Sequence, residues 1–513
     1  MNAPVHRLPS PLVGTASSDG QRALVVCDWS FKRRAPWQEL LERLALPDTA
    51  GFVWDARRVL SGDPTPQRGP SVGALARAFE AFVRQVTLER QRALEDVTVL
   101  GHGVGAVIVA TWVHDYAPRV RAVVLAAPGF RDPIPVNVLA GLRGTSARLL
   151  ADAAAIHAPT LLLDATADRR STVAARDVFF ARLASVRKVR HPFEGPGASL
   201  LTEPTWTWAA ETIRRFLNEL EAGPVPPPDL LAADASGYTY EEFRRLQAPG
   251  GPQFAAVRWI MRTLGKLSRG IALGWETGFD SGLSLDYVYR NQPAGRLLVG
   301  RFLDRVYLES VGWRGIRQRR LHLVRRLSEA IVEIARVKRP VEILDIAAGG
   351  GRYVLETVKQ HPDIPVRAYL QDYREENLEA ARALREAWRL PGIEIARGDA
   401  WNLEQGLPGG RQFDIGVVSG FYELRPENAP VLSSLRQLAA RLRSGGLLLY
   451  TNQPWHPQIE FIARVLRNHE GRPWIMRRRT QLEMDQLVAT AGFTKTAMDI
   501  DDAGIFSVSV ARR

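Results

Sequence analysis

The sequence predicts an α/β protein of two units, with a mostly parallel sheet in the first 222 residues and a doubly wound sheet from residue 341 onward. Three observations predict it. Apolar runs of strand length alternate with helix-compatible stretches through both regions. Two glycine turns, Gly101–Gly105 and Gly349–Gly351, each lead from an apolar run into a helical pattern. Between the regions, EAGPVPPPD (221–229) is rich in proline, which favours an extended, semi-rigid linker.

A chain of 513 residues exceeds what one hydrophobic core organises. Its 46% apolar and 24% charged residues are those of an ordinary globular protein. Cys27 is the only cysteine, which excludes an intrachain disulfide and a cysteine-based zinc cluster, and no metal centre is expected. No run approaches the roughly 20 apolar residues of a membrane span. The opening MNAPVHRLPSPLVG lacks the charged and apolar regions of a signal peptide, so a cytoplasmic location is expected. The net charge of +13 divides unevenly: +5 in 1–222, +8 in 223–340 and 0 in 341–513. Such a field favours an anionic substrate or an anionic lipid surface. A solvated basic face would account for it as well. Nucleic acid is not expected, because no binding module accompanies the charge.

In the first region RALVVCDW (22–29) reads as a strand and WQELLERLA, from Trp37, as a helix. A second helix, VGALARAFEAFVRQV, starts at Val72. It leads to a strand, Val97–Leu100, the sharp turn Gly101–Gly105 and an apolar helix. RAVVLAAPG from Arg121 and PTLLLDATADRR from Pro159 are two more buried strands.

The strand, the G-H-G-V-G turn and the helix resemble the nucleophile elbow of the α/β-hydrolase family, and the similarity extends over the first region. In that family the elbow holds a serine on a strained turn. Here the position is Gly103. Asp168 matches the place of the family's acid, and Ala198 that of its histidine; His191, seven residues earlier, is not expected to replace it. Cys27, Asp28 and Trp29 stand where the family has the His-Gly segment of its oxyanion hole. Acyl chemistry needs a nucleophile and a base in contact. The resemblance therefore implies a degenerate, catalytically inactive hydrolase-like domain over 1–222, with Asp168 as a structural loop residue.

Residues 223–340 read as a linker followed by a basic helical and aromatic segment. Thr239 and Glu242 fit a capping box. From Trp259 to Arg317, glycines, aromatics and basic residues interleave without a clean period. A stretch of this kind can form a lid or substrate cradle, or a docking surface between domains, and both readings stand. A helix from about Arg317 to Lys338 places Val324, Leu327, Ile331 and Ile334 on one face, with Arg319, Arg326 and Glu333 elsewhere. It should pack on the sheet just ahead of Val341.

From Val341 the chain repeats strand and helix. VEILDI runs into the loop Ala347–Gly351; PVRAYLQDY ends in Asp372, GIEIARGDAW near Asp399, and FDIGVV at SGFYEL. SGGLLLYTNQ is a fifth strand, Thr480 and Glu483 cap a helix, and GIFSVSVARR closes the chain as a strand. Asp345, just before the turn, would repel a phosphate but could hold an ammonium or a water. Asp372 could accept both hydroxyls of a ribose, and Asp399 an adenine amine. A cofactor with ribose, adenine and a cationic amino-acid tail, and no phosphate, is S-adenosylmethionine.

The region 341–513 resembles the class I S-adenosylmethionine-dependent methyltransferases, which have a Rossmann-like fold: DIAAGGG matches their glycine motif, QDY their ribose acid and GDAW their adenine acid. The resemblance implies cofactor contacts from Asp345, Ala347, Gly349, Gly351, Asp372, Asp399, Ala400 and Ser419. Ala347 departs from the family, where glycine is usual. GFDSGLSLDYVYRN, GWRGIR, SGFYEL, QPWHPQIE and MRRRTQ are similar to stretches of a group of bacterial methyltransferases with a fused N-terminal α/β-hydrolase-like domain.

Methyl transfer needs an in-line approach to the methyl, so positioning does most of the work. A general base is needed only where the acceptor loses a proton as it attacks. The loops after the fourth and fifth strands supply Tyr422 and Glu423, then Asn452, Gln453, Trp455 and His456. His456 is the candidate base and Glu423 a second, with Tyr422 beside it; a structural histidine between Pro454 and Pro457 is the other reading. The amide and double-proline motif used on amide or ring nitrogens is absent, with SGFYEL in its place. Arg477, Arg478 and Arg479, with Arg464, Arg467 and Arg472, add basic charge, which points to a small anionic or lipid-derived acceptor and to contact with anionic lipid. The alternative is a non-catalytic ligand-binding or scaffold protein with both domains degenerate. The acids and glycines of the second region favour the enzyme.

Overall fold

In a computed structural model, six strands form the first sheet: β1 (Arg22–Asp28), β2 (Thr49–Asp55), β3 (Val97–His102), β4 (Ala122–Ala126), β5 (Thr160–Ala165) and β6 (Lys188–Phe193). Their order is β2-β1-β3-β4-β5-β6, all parallel. The structure describes residues 20–29, 37–55, 71–130, 142–168, 171–195, 205–220, 226–405, 407 and 409–513. Ala198 lies outside them.

The inner strands read as continuous apolar runs because both faces are covered. Leu24, Val26, Leu161 and Leu163 pack against Trp206, Ile213 and Phe216 of the helix Thr205–Glu219. The helix Val104–Tyr116 is buried along its whole length and packs on β1, β3 and β4. The edge strands β2 and β6 were not expected from the sequence. In β6, Lys188, Arg190, His191 and Pro192 leave no apolar run to read; proline lacks an N–H, which an edge strand tolerates.

The second sheet has seven strands: β7 (Val341–Ile346), β8 (Val366–Asp372), β9 (Ile393–Arg397), β10 (Phe413–Val418), β11 (Leu442–Asn452), β12 (Thr494–Ile500) and β13 (Ser507–Arg512). The order is β12-β13-β11-β10-β7-β8-β9, with β13 antiparallel to both neighbours and every other pair parallel. Alternate residues feed two cores. Ile343, Val417 and Leu449 meet Leu327, Ile331 and Ile334 of the helix Val311–Ala335. Leu344, Val418 and Leu448 meet Leu435, Leu438, Met484 and Leu487 of the helices Asn428–Arg441 and Gln481–Thr490. Strand order reverses between β7 and β10, and in such sheets ligands bind where the C-terminal strand ends diverge at the reversal.

The chain divides into two compact units, Met1–Pro228 and Asp229–Arg513. Residues 229–340 therefore belong with the second sheet. They form the helices Tyr238–Gln247, Pro252–Arg262, Arg269–Thr277, Gly282–Arg290 and Leu297–Leu308, ahead of the long helix Val311–Ala335. Ile271, Phe279, Leu308 and Trp313 of this layer share a core with Ile462, Leu466, Met476 and Phe506. Thr239 is not the expected cap: Gly237 precedes the first turn, while Thr239 and Glu242 bond Arg477 and Arg478. Thr480 does cap its helix, accepting from the Glu483 backbone N–H. Among the described residues no helix is long and apolar enough to cross a membrane.

Candidate active site

The loop after β7 owes its path to left-handed backbone. Ala347, Gly349 and Gly351 have φ of 51°, 58° and 61°. At Gly351 the positive φ favours glycine, and a β-carbon would also come within 2.7 Å of Leu370 Cδ1, which would have to shift. Ala347 adopts the left-handed region with its methyl in place, which an alanine does at modest cost. Ala348 N donates to Gln371 O at 3.0 Å, and Gly351 N to Ala348 O at 2.9 Å, closing the turn into the helix Arg352–Gln360.

Asp372, the last residue of β8, ties this loop to the next. Its Oδ2 accepts from Gly349 N at 2.8 Å, and its Oδ1 from Arg374 N and Asn377 Nδ2, each at 2.9 Å. Asp399, two residues past β9, accepts from Trp401 N at 2.9 Å. Asp345 lies beneath the loop, fully buried. Tyr353 donates its hydroxyl to Asp345 Oδ1 at 2.9 Å, and Oδ2 has no hydrogen-bond partner. Burial pushes the Asp345 carboxyl well above the usual range; Asp372 adds to this and Tyr353 opposes it.

These loops open on a cavity of about 580 Å³. Ala347, Gly349, Gly351, Asp372, Asp399, Ala400 and Ser419, all expected at the cofactor, lie on its wall; Asp345 does not. The helix Gly282–Arg290 and the turn before it supply Asp280, Ser281, Leu285 and Tyr289, while 468–476 supply His469, Arg472 and Met476. His469 Nδ1 and Asp280 Oδ2 lie 2.9 Å apart and hold these two segments together. The interleaved stretch after Trp259 thus provides a cavity wall.

Arg319 also reaches the cavity, although the helical period set it apart from the packed face. It is 3% exposed, with its guanidinium 5.0 Å over the Phe506 ring and no hydrogen-bond partner at Nε. Burial works against its charge, but Tyr289 and Glu423 more than offset this. The sequence signal that could have found it is an arginine one turn before the apolar face of a helix that feeds the glycine strand.

The three residues expected to act on the acceptor are not brought to the cavity wall. Tyr422 and Glu423 lie in a short turn whose flanks, Phe421 and Leu424, do line it. Tyr422 is instead buried with its hydroxyl 3.2 Å from Ser434 Oγ, and burial raises both its pKa and that of Glu423. His456 is buried, its pKa pushed down to about 3. Its Nδ1 accepts from Gln458 N at 3.0 Å, and Nε2 packs on Gly312, where a β-carbon would sit 3.0 Å away. That is the structural histidine.

Arg477, Arg478 and Arg479 are not a basic surface either, being 1%, 3% and 2% exposed. Arg477 pairs with Glu483 at 2.7 Å, and Arg478 forks onto Glu242 at 2.8 and 3.1 Å. Arg479 donates to the carbonyls of Tyr422, Arg425 and Glu427. Buried backbone oxygens need donors, and these arginines supply them. Arg464 likewise serves the carbonyls of Arg245 and Leu246.

In the first unit the turn between β3 and its helix has the backbone of a nucleophile elbow. Gly103 has φ 59° and ψ −117°, with its N–H on Ala126 O at 2.9 Å. Asp168 is buried after β5, and His191 lies within β6 beside Trp208.

A seven-stranded sheet with one antiparallel strand, a glycine loop at the order reversal and acids at or just past the ends of the next two strands define the class I methyltransferase architecture. A family model described as "Putative methyltransferase" matches residues 213–513, and one described as "Serine aminopeptidase, S33" matches 34–138. The chain belongs to the first of these families, and its fold joins an α/β-hydrolase-like domain to a methyltransferase domain. It is 38% identical to the "Uncharacterized protein YnbC" of Escherichia coli (strain K12), covering 93% of this chain and 91% of that one. A Bordetella parapertussis structure described as a "possible exported protein" shares 22% identity over 55% of this chain and 96% of its own, with a TM-score of 0.41. A Nostoc punctiforme PCC 73102 structure described as a "putative O-methyltransferase" shares 18% identity over 37% of this chain and 55% of its own, with a TM-score of 0.30. At these scores neither structure bears on activity.

Proposed function

We propose that the second unit is an S-adenosylmethionine-dependent methyltransferase and that the first hydrolyses nothing. The observation that carries the first half is the pairing of Asp372 and Asp399 at the ends of adjacent strands, beside the glycine loop, on one cavity. Two orphaned polar atoms on that wall, Ser419 Oγ and Arg319 Nε, fit a ligand with both donor and acceptor groups. Asp372 would hold the ribose hydroxyls, and Asp399 the adenine amine with Ala400 against the ring. Ala347, Gly349 and Ser419 would line the amino-acid tail, with Arg319 at its carboxylate. The bound cofactor supplies a sulfonium methyl.

The chain's contribution is then position and exclusion of water, with no proton transfer assigned to His456, Glu423 or Tyr422. The acceptor is a small anionic or lipid-derived molecule, a reading supported by Arg425 and Arg472 on the wall. Calorimetry with S-adenosylhomocysteine tests the cofactor: absence of binding sinks the proposal. Incubating the protein with labelled cofactor and cell extract, followed by mass spectrometry, identifies the acceptor. The inactivity of the first unit is supported by Gly103, which has no side chain to attack a carbonyl. An esterase panel should give background rates, and turnover abolished by Asp168→Ala would overturn that half.

A further inference from the structure

We propose that the helical layer ahead of the second sheet docks on an anionic lipid surface through the helix Leu297–Leu308 and its neighbours. This goes beyond methyl transfer and does not depend on it. The observation is a set of large apolar side chains left in solvent on elements that touch one another. Leu298 is 83% exposed, Phe302 66% and Trp259 65%; Ile260, Leu264, Leu297, Val299 and Val306 are exposed as well. The Pro252–Arg262 helix runs into the turn Leu264–Leu267, and Arg296 N donates to Leu267 O at 2.8 Å, which seats the start of Leu297–Leu308 on that turn.

The helix is held with its apolar stripe outward. Asp304, fully buried, accepts from Ser268 Oγ at 2.5 Å, Gly270 N at 2.9 Å and Ala294 N at 2.8 Å, and also from Tyr287. Gly300, Asp304 and Leu308 form the packed face. Two residues along an α-helix turn it by about 200°. Leu298, Phe302 and Val306 therefore face away from the packed side, with Arg301 and Arg305 flanking them.

The charge around this stripe says what covers it. Between residues 257 and 306 the exposed cations are Arg262, Lys266, Arg269, Arg290, Arg296, Arg301 and Arg305, and Glu276 is the only exposed acid. A second copy would bring the same excess of positive charge against itself. An anionic bilayer takes both components, apolar side chains at the acyl boundary and arginines at the headgroups. Tyr287, which fastens Asp304, belongs to the Gly282–Arg290 helix that walls the cavity, so a docked surface would lie on the layer that encloses the site.

The test is co-sedimentation of the full chain with vesicles of phosphatidylcholine, and of equimolar phosphatidylcholine and phosphatidylglycerol. Binding is expected to the anionic vesicles, weakening with added salt. The double variant Leu298→Ser with Phe302→Ser should bind about tenfold less. Arg301→Gln with Arg305→Gln should weaken binding and flatten its salt dependence. All four side chains are exposed, so thermal unfolding should be unchanged and serves as the folding control. No binding, equal binding to both vesicle types, or binding indifferent to both double variants overturns the proposal. So does a dimer in analytical ultracentrifugation that Leu298→Ser with Phe302→Ser dissolves, because a second copy would then be the occupant.

Discussion

Gly349 N donates to Asp372 Oδ2 at 2.8 Å, so the acid that ends β8 also holds the turn that follows β7. The same carboxylate accepts from Arg374 N and Asn377 Nδ2, which makes it a joint between two loops as well as the proposed ribose acceptor. Asp372→Ala should therefore weaken S-adenosylhomocysteine binding at least tenfold, since hydrogen bonds to a charged group are worth about 1.5–3 kcal/mol each. Calorimetry reads the affinity, and an unchanged Kd would refute the assignment.

Asp345 predicts a pH effect on stability. Its folded pKa is raised, first by burial, then by Asp372, against the Tyr353 hydrogen bond. The native state therefore holds a proton that the unfolded chain has already released. Stability falls as pH rises from the unfolded value near 3.9 through the raised folded one. Asp345→Asn keeps an acceptor for Tyr353 and removes this loss. Melting curves of the two proteins should separate progressively above about pH 4 in favour of the variant; parallel curves would refute it.

His114 predicts a dependence of the same sign in the first unit, in a higher pH window. Its Nδ1 lies 2.8 Å from Asp115 Oδ1 and its Nε2 2.8 Å from Asp152 Oδ2, while Arg148 forks onto Asp115, all of them buried. Burial alone would lower the His114 pKa, but the two carboxylates outweigh it and leave it raised. Burial would likewise raise Asp115, but Arg148 and His114 hold it low. The histidine's contribution is complete below its unfolded pKa of about 6.5 and fades as pH rises through the folded value; that of Asp115 is complete above about pH 3.9 and fades in acid. His114→Gln should thus cost about 3 kcal/mol near pH 5.5 and less at pH 9. Denaturant titrations at both pH values check it.

Arg478 and Arg319 should behave as opposites. Arg478→Ala breaks a buried fork to Glu242 and should lower stability by about 3 kcal/mol with little change in cofactor affinity. Arg319→Gln should weaken S-adenosylhomocysteine about tenfold and leave binding of methylthioadenosine, which has no carboxylate, unchanged. Equal losses for both ligands would show that Arg319 acts on the fold and not on the tail.

The inner strands were legible because a strand buried on both faces is written as an unbroken apolar run, as in Val341–Ile346 or Thr160–Ala165. The edges were not. β12 carries Thr494, Lys495, Thr496 and Asp499, and β6 carries four polar or proline residues, so neither shows a run to read. The acids Asp372 and Asp399 were legible because strand ends are fixed by local pattern. Arg319 and Arg477–Arg479 were misread for one reason: charge on a sequence marks a side chain as polar, but only the tertiary fold says whether its partners are water, a cavity or buried carbonyls.

The corner at Gly103 has a consequence for the energy of the first unit. A residue with a β-carbon held at φ 59° and ψ −117° stores about 1–3 kcal/mol, which a glycine does not. The sheet-to-helix corner thus keeps the outline of a reactive turn while releasing its tension. Gly103→Ser would load the spring again, at the expense of folding stability.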